Sequence, residues 1–125
     1  MKEFEKWFRK AENDLLVITN NLASEKVPLD ACCFHAQQAA EKYFKAYLVS
    51  RNTSFPKIHD LQALNNLCAT INPSFKEIEE TALNLSDFAI AIRYPDALDD
   101  LTIDDAKKAL NDALAIKTFV LKHFF

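Results

Sequence analysis

The chain of 125 residues contains no glycine, and this absence restricts the structures that are open to it. Glycine normally makes up about 7% of a protein, and it supplies the positive φ of tight hairpin turns, left-handed helix caps and phosphate-binding loops. The P-loop and the dinucleotide-binding fingerprint both need glycines at fixed spacings. The sequence therefore excludes both nucleotide-binding motifs.

Apolar residues recur with the 3.6-residue period of an amphipathic α-helix over most of the chain. The first such helix is predicted from Lys2 to about Ala23. A second starts near Pro28, a residue that suits the first turn of a helix, and continues to about Arg51. The segment 52–58 contains threonine, serine and proline, and we interpret it as a loop.

Three more helical segments follow along the chain. A short helix opens at His59 or Asp60, either of which can cap it. The next starts from Asn72 as a cap with a proline behind it, and Pro95 ends it one or two residues earlier. The last begins after Thr102, with acidic residues in its first turn, and reaches the end of the chain.

These helices define the predicted fold, because no segment alternates apolar and polar residues in the manner of a β-strand. We predict an all-α protein, an antiparallel up-and-down four-helix bundle with one extra short helix. A chain of this length buries about two thirds of its unfolded surface, so a single helical domain over residues 1–125 is expected. The second helix has a face that lets a neighbouring helix approach closely. Its residues are Cys32, Ala36, Ala39, Ala40, Tyr43 and Tyr47.

Charge and cysteine content limit the partners and the compartment. A net charge of −3 and a pI near 5.6 argue against binding duplex nucleic acid through bulk electrostatics, which needs a strongly basic face. The cysteines Cys32, Cys33 and Cys68 have no CxxC spacing, and we predict reduced thiols. The longest apolar run, Phe88 to Ile92, is too short to span a membrane, and the first residues do not resemble a signal peptide. A cytoplasmic protein without a membrane partner is expected.

No metal site, cofactor or cysteine nucleophile is predicted. The histidines His35, His59 and His123 are far apart in the sequence, and the Glu-x-x-His motif of helical di-iron sites does not occur. Cys32 and Cys33 lie on an apolar helix face, where cysteine usually contributes only to packing.

Two adjacent amides, Gln37 and Gln38, interrupt an Ala-rich and aromatic segment of the second helix. A buried glutamine has up to four hydrogen-bonding valences, and each unmet one costs ~1 to 3 kcal/mol. The pair therefore indicates a specific polar partner, while exposure to solvent explains either residue alone equally well. On another face, Glu41 and Lys45 form a favourably oriented i, i+4 pair.

Two further groups have both a structural and a functional interpretation. His59 and Asp60 can cap a helix, or the His59 ring can face a nucleotide or RNA. Arg93 at a helix C-terminus can contact the last carbonyls while Tyr94 packs on the end of the bundle. An arginine next to an aromatic residue is also typical of phosphate and base recognition.

Four groups of residues occur in a combination that is more specific than any one of them. They are Trp7 with Ala11, Asp14 and Leu15; the segment 34–46 with Gln-Gln-Ala-Ala-Glu-Lys at its centre; His59, Asp60 and Leu61; and Arg93, Tyr94, Pro95 and Asp96. Together they resemble the HEPN family, a nucleotide-binding domain of higher eukaryotes and prokaryotes. The resemblance covers nearly the whole chain.

The resemblance implies an all-α bundle that is usually a homodimer and is often encoded beside a minimal nucleotidyltransferase. Such pairs include toxin and antitoxin systems in which the HEPN protein is a ribonuclease. Family members that cut RNA are similar in having an arginine followed closely by a histidine. In this chain the next histidine after Arg93 is His123, and seven residues separate Arg51 from His59. The motif is not intact, and no catalytic residue is assigned.

The resemblance therefore favours a nucleotide- or RNA-binding module that dimerises and works with a minimal nucleotidyltransferase. The residues assigned to its binding site are Gln37, Lys42, His59, Asp60, Arg93 and Tyr94. The alternative is a metal-independent ribonuclease toxin of a toxin-antitoxin pair, in which Arg93 stabilises the phosphate and His59 transfers the proton.

Overall fold

The structure, a computed structural model, describes residues 2–91 and 100–124, with the backbone alone for 88–91. Every regular element in these ranges is helical, which confirms the predicted all-α fold. The elements are α1 (Glu3–Leu22), α2 (Leu29–Ser50), α3 (Leu61–Ile71), a 3₁₀ turn (Pro73–Ile78), α4 (Glu79–Ala91) and α5 (Ile103–Phe124). None of the helices in these ranges is long and apolar enough to cross a membrane.

Helix α2 is the centre of the bundle and packs against α1, α3, α4 and α5. Helix α1 runs antiparallel to α2, because Trp7 lies beside Lys45 near the C-terminal end of α2 and Asp14 lies beside His35 near its beginning. Helices α1 and α2 therefore form the first antiparallel pair of the predicted bundle.

Helices α4 and α5 continue the predicted alternation of direction. Phe75, just before α4, packs on Tyr47 at the C-terminal end of α2, whereas Leu83 of α4 borders the same groove as Phe34 near the beginning of α2. Helix α4 is therefore antiparallel to α2. Phe124, the last residue of α5, also lies beside Tyr47. The C-terminal ends of α5 and α2 are therefore next to each other, so α5 runs parallel to α2.

The face of α2 that was predicted to permit a close helix contact is completely buried. All of its members, Cys32, Ala36, Ala39, Ala40, Tyr43 and Tyr47, are at most 1% exposed. Helix α5 also buries small residues, Ala106, Ala109 and Ala113. Because alanine side chains keep two helix backbones close together, α2 and α5 can pack directly against each other. The cysteines are free and buried, as predicted for the two on this helix.

Side-chain caps fix the starts of two helices at the predicted residues. Asp60 accepts hydrogen bonds from the backbone N–H groups of Gln62 and Ala63, at 2.9 and 3.4 Å. The Thr102 hydroxyl accepts from the Asp105 N–H at 3.1 Å, and the Asp105 carboxylate accepts from the Thr102 N–H at 3.0 Å. This reciprocal pair is a capping box.

The end of α2 shows how a chain without glycine makes a left-handed helix cap. Asn52 has φ of 55°, the only positive φ among the described residues. The Thr53 N–H donates to the Leu48 carbonyl at 2.9 Å and the Asn52 N–H donates to the Val49 carbonyl at 3.0 Å, which is the Schellman pattern. Asparagine tolerates this conformation better than other residues with a Cβ.

One predicted helix has a different beginning. The sequence predicted a single helix from Asn72 onward, but residues Pro73–Ile78 form a 3₁₀ turn before α4 starts. Phe75 and Ile78 are both buried, and a helix with three residues per turn places such a pair on the same side. The predicted end of this helix at Arg93 or Tyr94 lies outside the described residues.

Candidate functional site

A groove of about 1120 Å³ lies against the N-terminal half of α2. Helix α2 contributes Phe34, Gln37 and Gln38 to its wall. The segment that leads into α3 contributes Lys57, His59 and Asp60, and α4 contributes Leu83, Ser86 and Asp87. The groove therefore brings together three of the residues that the sequence assigned to a site, Gln37, His59 and Asp60.

The two adjacent glutamines have different roles in this groove. Gln37 is only 6% exposed, and its Nε2 donates to the backbone carbonyl of His59 at 2.8 Å. Its Oε1 accepts a hydrogen bond from Gln38 Nε2 at 3.0 Å. Gln37 therefore ties the segment before α3 to α2 and holds the Gln38 amide in one orientation. Within residues 2–91 and 100–124, Gln38 makes no other side-chain hydrogen bond, so its carbonyl oxygen and second N–H can meet a ligand.

A buried ion pair, Glu41 with Lys45, is connected to the groove through the contact between Glu41 and His59. The Glu41 and Lys45 side chains are 4% and 7% exposed, and Lys45 Nζ donates to Glu41 Oε2 at 3.2 Å. The Lys45 ammonium also lies 5.5 Å from the ring centre of Trp7 and 5.7 Å from that of Phe55. The sequence predicted the pairing of Glu41 with Lys45, but its spacing does not reveal that the loop before α3 covers the pair.

Glu41 also holds His59 in place. The Nδ1 atom of His59 lies 3.0 Å from Glu41 Oε1, and 71% of the His59 side chain remains exposed. A carboxylate oxygen accepts a hydrogen bond from a ring N–H, so this contact favours the tautomer that carries its proton on Nδ1. His59 is therefore oriented by a buried acid, and most of its side chain is exposed beside the groove.

The groove carries more negative than positive charge. Its described wall contains three carboxylates, Asp30, Asp60 and Asp87, against a single lysine, Lys57. A ligand phosphate placed among these carboxylates would be repelled. The exposed Phe34 ring and the Gln38 amide instead suit an uncharged, flat ligand group with donors and acceptors on its edge.

Lys42 lies outside the groove, although the sequence assigned it to the same site as Gln37 and His59. Its ammonium is 2.5 Å from the carboxylate of Asp14, whose other oxygen is 2.8 Å from His35 Nδ1. Lys42 is one residue beyond Glu41, which turns it about 100° round the helix. The remaining assigned residues, Arg93 and Tyr94, lie outside the described residues.

None of the three cysteines lines the groove. Burial raises the pKa of the Cys33 and Cys68 thiols to about 12, so both thiols remain protonated at neutral pH. In the two ranges that the structure describes, no three histidine, cysteine, aspartate or glutamate side chains are grouped so that they could hold a metal ion.

The fold and this groove define a class of protein, an all-α bundle that presents a polar groove beside its central helix. Residues 4–123 match the HEPN domain family, and the chain belongs to this family.

Two solved structures share the fold over essentially their whole length. One is the protein TT1696 from Thermus thermophilus, which is 27% identical with a TM-score of 0.82, the alignment covering 98% of each chain. The other is ST0689, described as an archaeal HEPN homologue, which is 26% identical with a TM-score of 0.79 and is covered, like this chain, over 100% of its length. No curated protein matches the sequence.

Proposed function

We propose that this protein is a HEPN module that binds a nucleobase, as part of a nucleotide or of single-stranded RNA, in the groove beside α2. The observation that supports this function most directly is the placement of Phe34 and Gln38. Their side chains are one helical turn apart on the same wall, one an exposed ring and the other an amide held in position by Gln37.

The Phe34 ring is a suitable surface for base stacking. It is 48% exposed, and it contacts the His35 ring edge-on at a centroid distance of 5.4 Å. Stacking of a base on an aromatic side chain is worth about 1–3 kcal/mol and depends little on which base is present. Phe34 therefore explains a preference for bases without selecting among them.

The Gln38 amide supplies the polar half of the recognition. Its free carbonyl oxygen and N–H can pair with a donor and an acceptor on the edge of one base, as a glutamine does with adenine. Gln37 keeps this amide in one orientation, so less conformational entropy is lost when a base binds. The carboxylates of the groove place the ligand phosphates outside, toward bulk solvent.

A titration of the purified protein with adenosine, AMP, ATP and a short single-stranded RNA tests this function. We expect adenosine to bind at least as well as ATP, because the triphosphate adds charge of the same sign as the groove. Phe34→Ala and Gln38→Met should each weaken binding about 10-fold, which corresponds to about 1.4 kcal/mol. Asn66→Ala, an exposed residue of α3 outside the groove, is the matched control and should leave the affinity unchanged.

Two results would contradict the proposal. One is the absence of binding by any of these ligands to the folded protein. The other is binding that survives both groove substitutions and strengthens with the number of phosphates, since this would place the site elsewhere.

We further propose that the module dimerises and works with a minimal nucleotidyltransferase, the arrangement that its family membership favours. Co-expression with a small nucleotidyltransferase encoded next to this chain tests the partner. A stable complex on size-exclusion chromatography is expected, and its failure to form with both proteins folded would remove the partner from the proposal.

A second candidate function, metal-independent RNA cleavage, is favoured by the contact between Glu41 and His59. A histidine whose Nδ1 is held by a carboxylate can accept or donate a proton at Nε2, and a 2′-hydroxyl is the group that must lose a proton. In this function Arg93 stabilises the phosphate.

RNA should be cleaved in the presence of EDTA, and His59→Gln should abolish cleavage. His35→Gln is the matched control, because His35 is also held by a carboxylate but lies outside the groove. Cleavage that survives His59→Gln would end this candidate.

A further inference from the structure

The exposed large apolar residues of the described chain fall into two main groups. Phe34 and Leu83 line the groove beside α2. Ile103, Leu114 and Leu121 all belong to α5, where they are 36–41% exposed. The groove accounts for the first group, and the second lies along a different helix and needs its own explanation.

The residues on α5 form a straight line along the helix. Together with the half-buried Leu110, they occupy positions 103, 110, 114 and 121, which we call the α5 stripe. At 100° per residue, all four positions fall within about 40° of one another. At 1.5 Å per residue the stripe is about 27 Å long. A row of this length is a surface that another helix could cover along its whole length.

The α5 stripe has the same spacing in both directions. Its members are 7, 4 and 7 residues apart, so reversal about position 112 maps the stripe onto itself. A two-fold axis at that position would place Ile103 against Leu121 of a second copy and Leu110 against Leu114 of that copy. Isologous interfaces require this self-complementarity, since the same patch must face itself.

We propose that the α5 stripe is the surface on which a second copy of this chain docks, with the two α5 helices antiparallel. This inference rests on the proposal that the module dimerises, and it adds the surface and the register.

One pair of charges beside the α5 stripe, Asp104 and Lys122, fits the same arrangement. The exposed side chains of Asp104 and Lys122 lie on the same flank of α5, because their positions are 18 residues, or five full turns, apart. In the antiparallel pair, Asp104 of each copy lies beside Lys122 of the other, so two opposite-charge contacts form by symmetry. In a parallel pair, the two-fold axis runs along the helices and puts this flank of the two copies on opposite sides of the interface, so neither opposite-charge contact forms. Charge complementarity therefore selects the antiparallel orientation and a second copy as the occupant.

Helix α1 extends the apolar surface beyond α5. Lys117 Nζ contacts Glu12 Oε1 at 2.7 Å and fixes α1 beside the stripe. One turn further along α1, Leu16 is 56% exposed and lies level with Leu114, since the two helices are antiparallel. On the other side of Leu114, a shallow depression of about 480 Å³ between α5 and the 3₁₀ turn can receive side chains. A stable interface buries about 800 Å² on each partner. The α5 stripe together with Leu16 on one side and the depression on the other offers more surface than the row of α5 residues alone.

Measurement of the oligomeric state by sedimentation over a wide range of concentrations tests the α5 stripe. The wild-type chain should be a dimer. Leu114→Glu places a charge against Leu110 of the second copy and should weaken dimerisation at least 10-fold. Ile71→Glu is the matched control, because Ile71 is equally exposed at 37% but lies on α3 away from the stripe; it should leave the dimer intact. Circular dichroism confirms that each variant is folded.

Charge reversal tests the antiparallel register separately. Asp104→Lys and Lys122→Asp should each weaken the dimer, whereas the double variant should restore it, because both cross-copy contacts regain opposite charges. A wild-type chain that is monomeric at every concentration would overturn both dimerisation and the stripe. A dimer that is insensitive to Leu114→Glu, or whose charge variants show no rescue, would overturn the stripe alone. Nucleobase binding is measured in the α2 groove and is unaffected by either result.

Discussion

Glu41→Gln should destabilise this protein far more than the loss of an ordinary helix ion pair. The substitution keeps the shape of the side chain but removes its charge, which leaves the Lys45 ammonium uncompensated at 7% exposure. Breaking a buried pair in this way costs about 3–5 kcal/mol. Trp7 and Phe55 still offer their ring faces to Lys45, so we expect the lower end of this range, ~3 kcal/mol.

The chain contains its own control for this experiment. Lys108 and Asp112 also form an i, i+4 pair at 3.2 Å, but their side chains are 61% and 21% exposed. Asp112→Asn should therefore cost no more than about 0.5 kcal/mol. Distance and spacing are the same in both pairs, so the difference between the two variants measures the burial of the pair together with the changed contact between Glu41 and His59.

Thermal and urea denaturation followed by circular dichroism measure both costs. An unfolding entropy of about 2.1 cal/mol/K per residue means that ~3 kcal/mol lowers the Tm of a chain of this length by roughly 11 °C. The double variant Glu41→Met with Lys45→Met should recover most of the lost stability, because it removes both charges together. If Glu41→Gln costs no more than Asp112→Asn, the buried ion pair contributes no more to the free energy of unfolding than the exposed pair, which contradicts this prediction.

Three smaller predictions concern the helix ends and the buried thiols. Asn52→Ala should cost about 1 kcal/mol in urea denaturation because φ is 55° there, whereas Asn52→Gly should be neutral or stabilising; an equal cost for both would contradict a backbone origin. Thr102→Ala removes half of the capping box and should also cost about 1 kcal/mol. An unchanged free energy of unfolding in this variant would show that the cap does not stabilise α5. Because burial raises the pKa of Cys33 and Cys68 to about 12 from 9.0, the stability gained by keeping these thiols neutral is complete below pH 9.0. It is lost as the pH rises toward 12, where the unfolded chain ionises first. The urea midpoint should fall over that interval, and Cys68→Ala should make the fall smaller.

Local chemistry explains which features were predictable. The caps at Asp60 and Thr102 depend on side chains that bond to backbone groups two or three residues away, so the sequence shows them directly. The apolar periodicity of α1, α2 and α5 likewise depends on residues within one helix. The exception was the 3₁₀ turn Pro73–Ile78, because three-residue and four-residue spacings overlap over so short a segment.

The site could be predicted only in part. The unusual glutamine pair indicated a polar partner, but only the tertiary structure shows that the partner of Gln37 is the His59 carbonyl, 22 residues away. Lys42 was assigned to the same site as one of the polar residues of the motif on the second helix, yet it faces α1 and pairs with Asp14. A position on a helix sets the direction of a side chain, whereas the neighbouring element in that direction is set by the packing of the whole bundle.

The amino-acid sequence alone determined that the protein is all-helical, which residues cap α3 and α5, and which face of α2 is buried. Each of these depends on interactions between residues within about two turns of one another, so their spacing is sufficient. The tertiary structure decided that the loop before α3 covers Glu41 and Lys45, and that Phe34 and Gln38 border an acidic groove. These features join segments that are distant along the chain, and their energies depend on burial, which spacing along a single helix does not specify.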